Sequence, residues 1–478
     1  MSNSIALKNK SRDFTEGPLF WRLFLFAVPL MLSGLLQIGY DMADKIIVGR
    51  FSSNPNALAS VGCTSIVSTC LVNFALGFSA GAGVIVASHF GAKNEEKLSK
   101  SIHTSMLLAL FAGITISAAG LIFSRPILEL MGTKAELFDG AILYLRIICI
   151  GIPANIIYNF GASILRSIGD SKTSLYILAF SGLLNVIGNI IFVTVFDMTV
   201  DGVALATIIS QYVSATLVIL VMKRQSGACK FSLRNLKFNI PIFKSIFRVG
   251  LPAGIQSSLF ALSNLVITSA FNSFSTTTVH ARTVVQSVDG IVSTLITSYN
   301  RSNLALVAQN YGAGNLKRIK KVFLYSLIQA TVICITVSQL ILLFCVPIAS
   351  LYIGSNNENI SEILEIAEGF FKVLLNSYFL LAIMDILSST LRGMKYSIAT
   401  MIISLSCAVP FRIFWVYCVF PHEPFNTANW LMASFPISWI LGIIPYTVML
   451  FVAFKRLKIK FGVKDALSRT PEKETTKI

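Results

Sequence analysis

The sequence predicts an all-α polytopic membrane protein, with twelve transmembrane helices in two six-helix lobes related by a parallel pseudo-two-fold repeat. Three observations predict it. Of 478 residues, 54% are hydrophobic and 13% charged, about half the charged share of a soluble domain. Twelve runs reach the roughly 20 mostly apolar residues that a spanning helix needs. The basic residues concentrate on alternate connections between those runs.

The first run, 19–41, follows a polar segment ending in DFTEGP. It lacks the short apolar core and small-residue cleavage site of a secretory signal, so it is expected to remain as a helix. The following five are 58–88, 102–123, 138–165, 173–196 and 202–222. The second set comprises 246–272, 283–308, 322–346, 363–391, 397–420 and 428–454. Several exceed the minimum length, which predicts tilt or extension past the bilayer. Around them lie an N-terminal tail (1–17), an N-lobe (18–222), a basic linker (223–245), a C-lobe (246–456) and a C-terminal tail (457–478).

Charge tests this division. The two ends (1–17 and 454–478) and the connections 91–101, 166–172, 223–248, 315–321 and 392–395 hold 29 of the 39 Lys and Arg. The opposite connections hold five: Lys45, Arg50, Arg125, Lys134 and Arg282. An asymmetry that alternates with every span places both termini in the cytoplasm of a cell whose plasma membrane the chain crosses. It also accounts for the net charge of +17 with no nucleic-acid partner. The lipid bilayer is the expected partner, and the chain is expected to be a monomer.

Internal similarity supports a repeat. HFGAKNEEKL (89–98) is echoed by NYGAGNLKRI (310–319), 221 residues on, and ILRSIGDSKTS (164–174) by TLRGMKYSIAT (390–400), 226 residues on. Pro29 and Pro252 occupy matching starts. Six spans per repeat is an even number, so both halves enter the membrane in the same sense. Two such lobes enclose a central cleft.

The motifs exclude ATP hydrolysis and catalysis. GDSKTS (169–174) lacks the glycine spacing of a phosphate-binding loop. GFSAGAG (77–83) lies in an apolar run with no strand before it, where small residues serve close helix packing. The eight cysteines are scattered singly and read as small buried hydrophobes. No cofactor is implied. What remains is a secondary transporter driven by an ion gradient, which needs an ionisable or oxygen-rich site within the membrane. Asp44 supplies a carboxylate in LLQIGYDMADKIIVGR (35–50), with Tyr40 four residues earlier on the same face. Asn185 and Asn189 share a face in GLLNVIGNIIF, and Thr207 lies in the next span. Carboxylate, amide and hydroxyl oxygens suit a hard cation such as sodium; the carboxylate alone suits a proton. The competing reading of the Asn pair is a hydrogen bond between helices.

GYDMADKIIVGR, SHFGAKNEEKL, ILRSIGDSKTS, LLNVIGNIIF, LALVAQNYGAGNLKRI and LRGMKYSIATMIISLSCAVPFRIFW together resemble the multidrug and toxic compound extrusion (MATE) transporters, in order, from about Pro18 to Lys458. SFPISWILG (434–442) points to the bacterial branch. The resemblance implies a V-shaped central cavity and export of cationic or amphipathic drugs against sodium or protons. It places the family's cation-coupling carboxylate at Asp44, with Tyr40, Asn185 and Thr207 beside it. Where many relatives have a second aspartate, this chain has Asn189, leaving one negative charge instead of two and implying one monovalent cation per cycle. Asp41 falls where relatives have Asn and is expected at the watery mouth of the cleft.

The second lobe departs from the family pattern. Arg301 sits mid-helix in SYNRSNLA, and Asp289, Lys372, Asp385 and Arg412 fall within neighbouring spans. Intramembrane ion pairing is the leading expectation for these five, with a substrate or coupling role as the alternative. Two other functions compete with export. A lipid-linked precursor flippase of the same wider superfamily would use Arg301, Lys372 and Arg412 as a basic cavity for a pyrophosphate headgroup. A non-transporting scaffold or sensor would tolerate the altered second lobe.

Overall fold

The computed structural model describes residues 13–51, 57–350, 352–353 and 359–468; the ends of both expected tails, 1–12 and 469–478, lie outside the described residues. Helices α1 (Phe20–Phe51), α2 (Ala57–Gly91), α3 (Glu95–Leu130), α4 (Ala135–Ser167), α5 (Lys172–Ile190) and α6 (Val200–Lys223) form the first set. After two single 3-10 turns come α7 (Ile240–Phe271), α8 (Thr276–Gly312), α9 (Leu316–Leu343) and the short α10 (Cys345–Ser350). The rest is α11 (Ile360–Leu375), α12 (Tyr378–Gly393), α13 (Ser397–Cys407), α14 (Val409–Phe414) and α15 (Ala428–Ser468). Helices α11 with α12, and α13 with α14, each make one broken span, so each of the twelve expected spans has a helix. The linker is shorter than expected, because α7 starts at Ile240 under the cap of Asn239, which accepts from the Ile242 amide at 3.1 Å.

Eleven spans are long and apolar enough to cross a membrane among the described residues; α8 is not one of them. Several of its polar side chains are buried and bonded to a neighbouring helix instead of facing lipid. Asn303 Nδ2 donates to Ser389 Oγ at 2.7 Å and Thr390 Oγ1 at 2.8 Å on α12, and Asn300 Nδ2 donates to the Asp385 carbonyl at 3.2 Å. A helix enclosed by other helices need not be apolar, provided its polar groups find partners.

Local chemistry is repeated between the halves. After α2 and α8 the chain turns through Lys93 (φ 54°) and Gly314 (φ 72°). The amides of Asn94 and Asn315 donate back to the His89 and Asn310 carbonyls at 3.2 and 3.0 Å. Each Asn then caps the next helix, accepting from Lys97 N at 2.9 Å and Arg318 N at 3.0 Å. Gly169 (φ 86°) and Lys395 (φ 70°) make the second matched pair of turns. A lysine in the left-handed region costs about 1 kcal/mol relative to glycine; the turn is kept all the same. A π-turn occupies Ile191–Val195 after α5 and Trp415–Val419 after α14, 224 positions apart.

Two apolar cores result. One gathers α2, α3, α4 and α6 around Ile85, Ile102, Leu145 and Phe160. The other gathers α8, α9, α11, α12 and α15 around Val292, Tyr299, Phe370 and Leu387, and it takes Leu23, Phe26 and Leu30 from the start of α1. Helix α2 lies against α7 through the GFSAGAG segment, where a Cβ on Gly81 would stand 2.3 Å from the Gly250 Cα. Packing, as read from the sequence, explains those small residues. GDSKTS opens α5: the Asp170 carboxylate accepts from Thr173 N at 3.1 Å and Thr173 Oγ1 at 2.9 Å.

At the basic end the two helix pairs meet backbone to backbone. A Cβ on Gly91 would stand 1.9 Å from the Gln309 carbonyl oxygen, and one on Gly312 1.8 Å from that of Ser88. These contacts are reciprocal, each relating positions 221 apart. Gln309 Nε2 donates to the Ser167 carbonyl at 2.8 Å, and its Oε1 accepts from Phe14 N at 3.1 Å. Arg318 holds the segment 13–17 across this seal, donating to the Phe14, Glu16 and Gly17 carbonyls at 2.7–2.8 Å.

Candidate functional site

Two cavities lie on the membrane side of that seal. The smaller, about 170 Å³, is lined by Tyr40, Asp41 and Asp44 of α1, Asn185 of α5 and Thr207 of α6. Asn189 is fully buried behind them and donates from Nδ2 to Asp44 Oδ1. Asn185 Nδ2 donates to Thr207 Oγ1 at 3.4 Å, and that hydroxyl donates to the Val203 carbonyl at 2.8 Å. The four-residue spacings put each oxygen on the same inward face as its partner. Tyr40 lies flat over Gly182, where a Cβ would stand 1.8 Å from its ring, and its hydroxyl donates to the Ala179 carbonyl at 3.1 Å. The five residues singled out from the sequence thus fall together. Asn189 Oδ1 is buried with no hydrogen-bond partner. An orphaned carbonyl oxygen beside a carboxylate, an amide and a hydroxyl is a donor set that accepts a hard cation. Among the described residues no group of three or more His, Cys, Asp and Glu stands together to hold a transition metal.

The larger cavity, about 670 Å³, is lined by α2, α7, α8, α12 and the helices after it, with Phe260, Phe435 and Trp439 among its apolar walls. Asp289, Arg301, Asp385 and Arg412 line it as well; Lys372 does not. The expected intramembrane ion pairs among these five do not form. Arg412 is 1% exposed and has neutral partners: Asn264 Oδ1 accepts at 2.5 Å and Ser438 Oγ at 3.2–3.3 Å. Its guanidinium carbon lies 4.7 and 4.9 Å from the Phe260 and Phe435 ring centres. Asp385 sits in the field of Arg392 and Asp289 in that of Arg282. Lys372 pairs with Glu368 at 2.7 Å on the outside of α11, with its side chain 60% exposed. It stands 21 positions before Gly393 at the basic end, about 30 Å along a helix. That is the thickness of the hydrocarbon core, so Lys372 reaches the far interface and not the cavity.

Sequence reasoning missed five contributors. Tyr144 of α4 lies in the fields of both Asp44 and Asp41. Asn155, Tyr158 and Asn159, at helical spacing in ANIIYNF, line the smaller cavity, a polar face that the periodicity shows once α4 is read on its own. Arg166, counted with a basic connection, also lines it.

Long, mostly apolar helices around polar cavities that are sealed at one end define a multi-pass membrane protein of transporter type. A family model described as MatE matches residues 29–191 and again 252–418. The chain belongs to the MatE family of transporters. The probable multidrug resistance protein YoeA of Bacillus subtilis (strain 168) is 28% identical over 384 residues, 79% of this chain and 82% of the relative. The multidrug export protein MepA of Staphylococcus aureus (strain MRSA252) is 26% identical over 254 residues, 53% and 56% of the two chains. In fold, the chain is similar to the crystal structure of MATE in complex with MaL6, with a TM-score of 0.82 at 22% identity over 95% of this chain and 99% of the other. It is likewise similar to a MOP superfamily transporter from Pyrococcus furiosus Vc1 (DSM3638), with 0.79 at 23% over 96% and 99%.

Proposed function

We propose that the protein is a secondary active multidrug exporter of the plasma membrane. In this reading it works as a monomer with both termini in the cytoplasm, and it exchanges cationic or amphipathic organic compounds for sodium or protons by alternating access. The observation that carries the reading is the contact between Asp44 and Asn189, whose Oδ1 is buried with no hydrogen-bond partner. Filling the donor set around them with a cation satisfies that oxygen and neutralises the carboxylate. Emptying it leaves a charge in a low-dielectric wall, a cost that links ion occupancy to the shape of the cavity. With Asn189 in place of a second acid, one positive charge balances the site. The flippase reading loses a member of its basic cavity, because Lys372 stands outside it.

The test is efflux of tetramethylrhodamine methyl ester from proteoliposomes with sodium and pH gradients imposed separately. One gradient, and not an equal salt gradient of the other sign, should drive efflux, and Asp44→Asn should abolish the driven component while the protein remains monodisperse. Full driven efflux by Asp44→Asn would overturn the assignment.

A further inference from the structure

Most charged side chains in the two cavities have an opposite charge nearby or a set of hydrogen-bond partners. Arg166 and Arg301 are paired with none of the carboxylates that line the same walls and have no hydrogen-bond partners. Arg166 comes from the end of α4 and Arg301 from the middle of α8, and both line the smaller cavity; Arg301 lines the larger one too. Arg166 lies in the field of the Arg301 guanidinium, and both arginines lie in that of Tyr158. Among the described residues neither forms an ion pair or a side-chain hydrogen bond. Arg392, the repeat counterpart of Arg166, by contrast bonds Asn300 Oδ1 at 3.4 Å and faces Asp385. The difference between the halves is therefore local: one arginine of the repeated turn has an amide and a carboxylate beside it, and the other meets a second arginine.

Two like charges held together away from bulk water are costly unless an anion joins them. A pair of planar guanidiniums matches the paired oxygens of a carboxylate or phosphoryl group. Asn155 and Asn159 beside them add amide dipoles. We propose that Arg166 and Arg301 form an oxyanion site at the inner end of the cleft. It takes the carboxylate or phosphoryl group of an amphipathic molecule whose apolar body extends past Arg301 into the larger, aromatic-walled cavity. The site deepens the export reading, on which it rests, by specifying a cargo that carries negative as well as positive charge.

Binding of two dyes to the full chain in nanodiscs, followed by fluorescence anisotropy, tests this. Tetramethylrhodamine has a free carboxylate; its methyl ester has the same ring system and none. The acid is expected to bind at least about tenfold more tightly than the ester, as a charge-assisted pair allows. Arg301→Gln and Arg166→Gln each erase that preference; Arg301→Lys keeps part of it. Displacement of the acid by inorganic phosphate identifies a free oxyanion as an occupant. Displacement by phosphatidylglycerol alone identifies a lipid headgroup. Equal binding of acid and ester by the unmodified protein overturns the proposal, a result that stands even where a variant fails to fold. Driven efflux of the ester is scored separately, so loss of export leaves the oxyanion site standing, and an absent acid preference leaves export standing.

Discussion

Replacing Gly312 with alanine tests the seal at the basic end. The added methyl carbon would stand 1.8 Å from the Ser88 carbonyl oxygen, where ordinary contact begins at 3.4 Å. Helices α2 and α8 must therefore part by about 1.6 Å, or the backbone must bend by as much. Overfilling of this kind costs about 1–3 kcal/mol. The cost falls on the sealed state alone, so an equilibrium between sealed and opened forms shifts by about 5- to 150-fold toward the opened form. Hydrogen exchange in nanodiscs should speed up in peptides covering 85–91 and 306–312, and gradient-driven efflux should fall. The reciprocal Gly91→Ala makes the same demand, with 1.9 Å to the Gln309 oxygen. Because the first substitution already separates the helices, the double variant should cost much less than the two singles added together. Gly39→Ala, where a Cβ meets nothing within 4 Å, is the control. Unchanged exchange and efflux in Gly312→Ala would refute the reasoning, and fully additive costs would show that the two contacts open independently.

Asn189→Asp places a second carboxylate beside Asp44, and the reversal potential in proteoliposomes should move from one coupled cation toward two. Arg412→Met removes a buried guanidinium that has only neutral partners, so the melting temperature in detergent should hold or rise, whereas Arg412→Ala opens a void and should cost about 2–4 kcal/mol. Lys395 is desolvated and faces Lys460, which together bring its ammonium down to about 8 from 10.5. Between those values the unfolded chain binds more protons than the folded one, so stability should rise as pH goes from 8 to 10.5. Lys395→Gly should flatten that rise and relieve the left-handed turn, read as melting temperature against pH.

The spans, their order and the cation cluster around Asp44 were legible in the sequence, because apolar length and four-residue spacing are local signals. Helix α8 was counted among the apolar runs but falls short of the apolarity of the other spans, because part of its polar surface is bonded by α12, which lies 80 or more residues away in the chain. Lys372 misled for a related reason. A broken span longer than the bilayer carries its outer turns into water, and no local pattern marks where the membrane ends. Arg166 was hidden by the charge rule itself. A basic residue at a helix end normally reaches for water, but side chains tilt toward the helix N-terminus, which here carries the guanidinium back into the cleft. Whether five charged residues in neighbouring spans pair with one another depends on which faces meet, and that is a property of packing.

The π-turns at Ile191–Val195 and Trp415–Val419 bear on descent. Each closes through an amide donating five residues back, Phe196 to Ile191 at 3.2 Å and Phe420 to Trp415 at 2.8 Å. Such a turn holds one residue more than a regular helix and rotates everything beyond it by about 100°. An insertion acquired separately in each half would have had to strike the same helix at the same height twice. A single insertion in an ancestral half-length gene, made before that gene was copied and joined to itself, accounts for both turns with one event. The extra residue is then older than the joined chain.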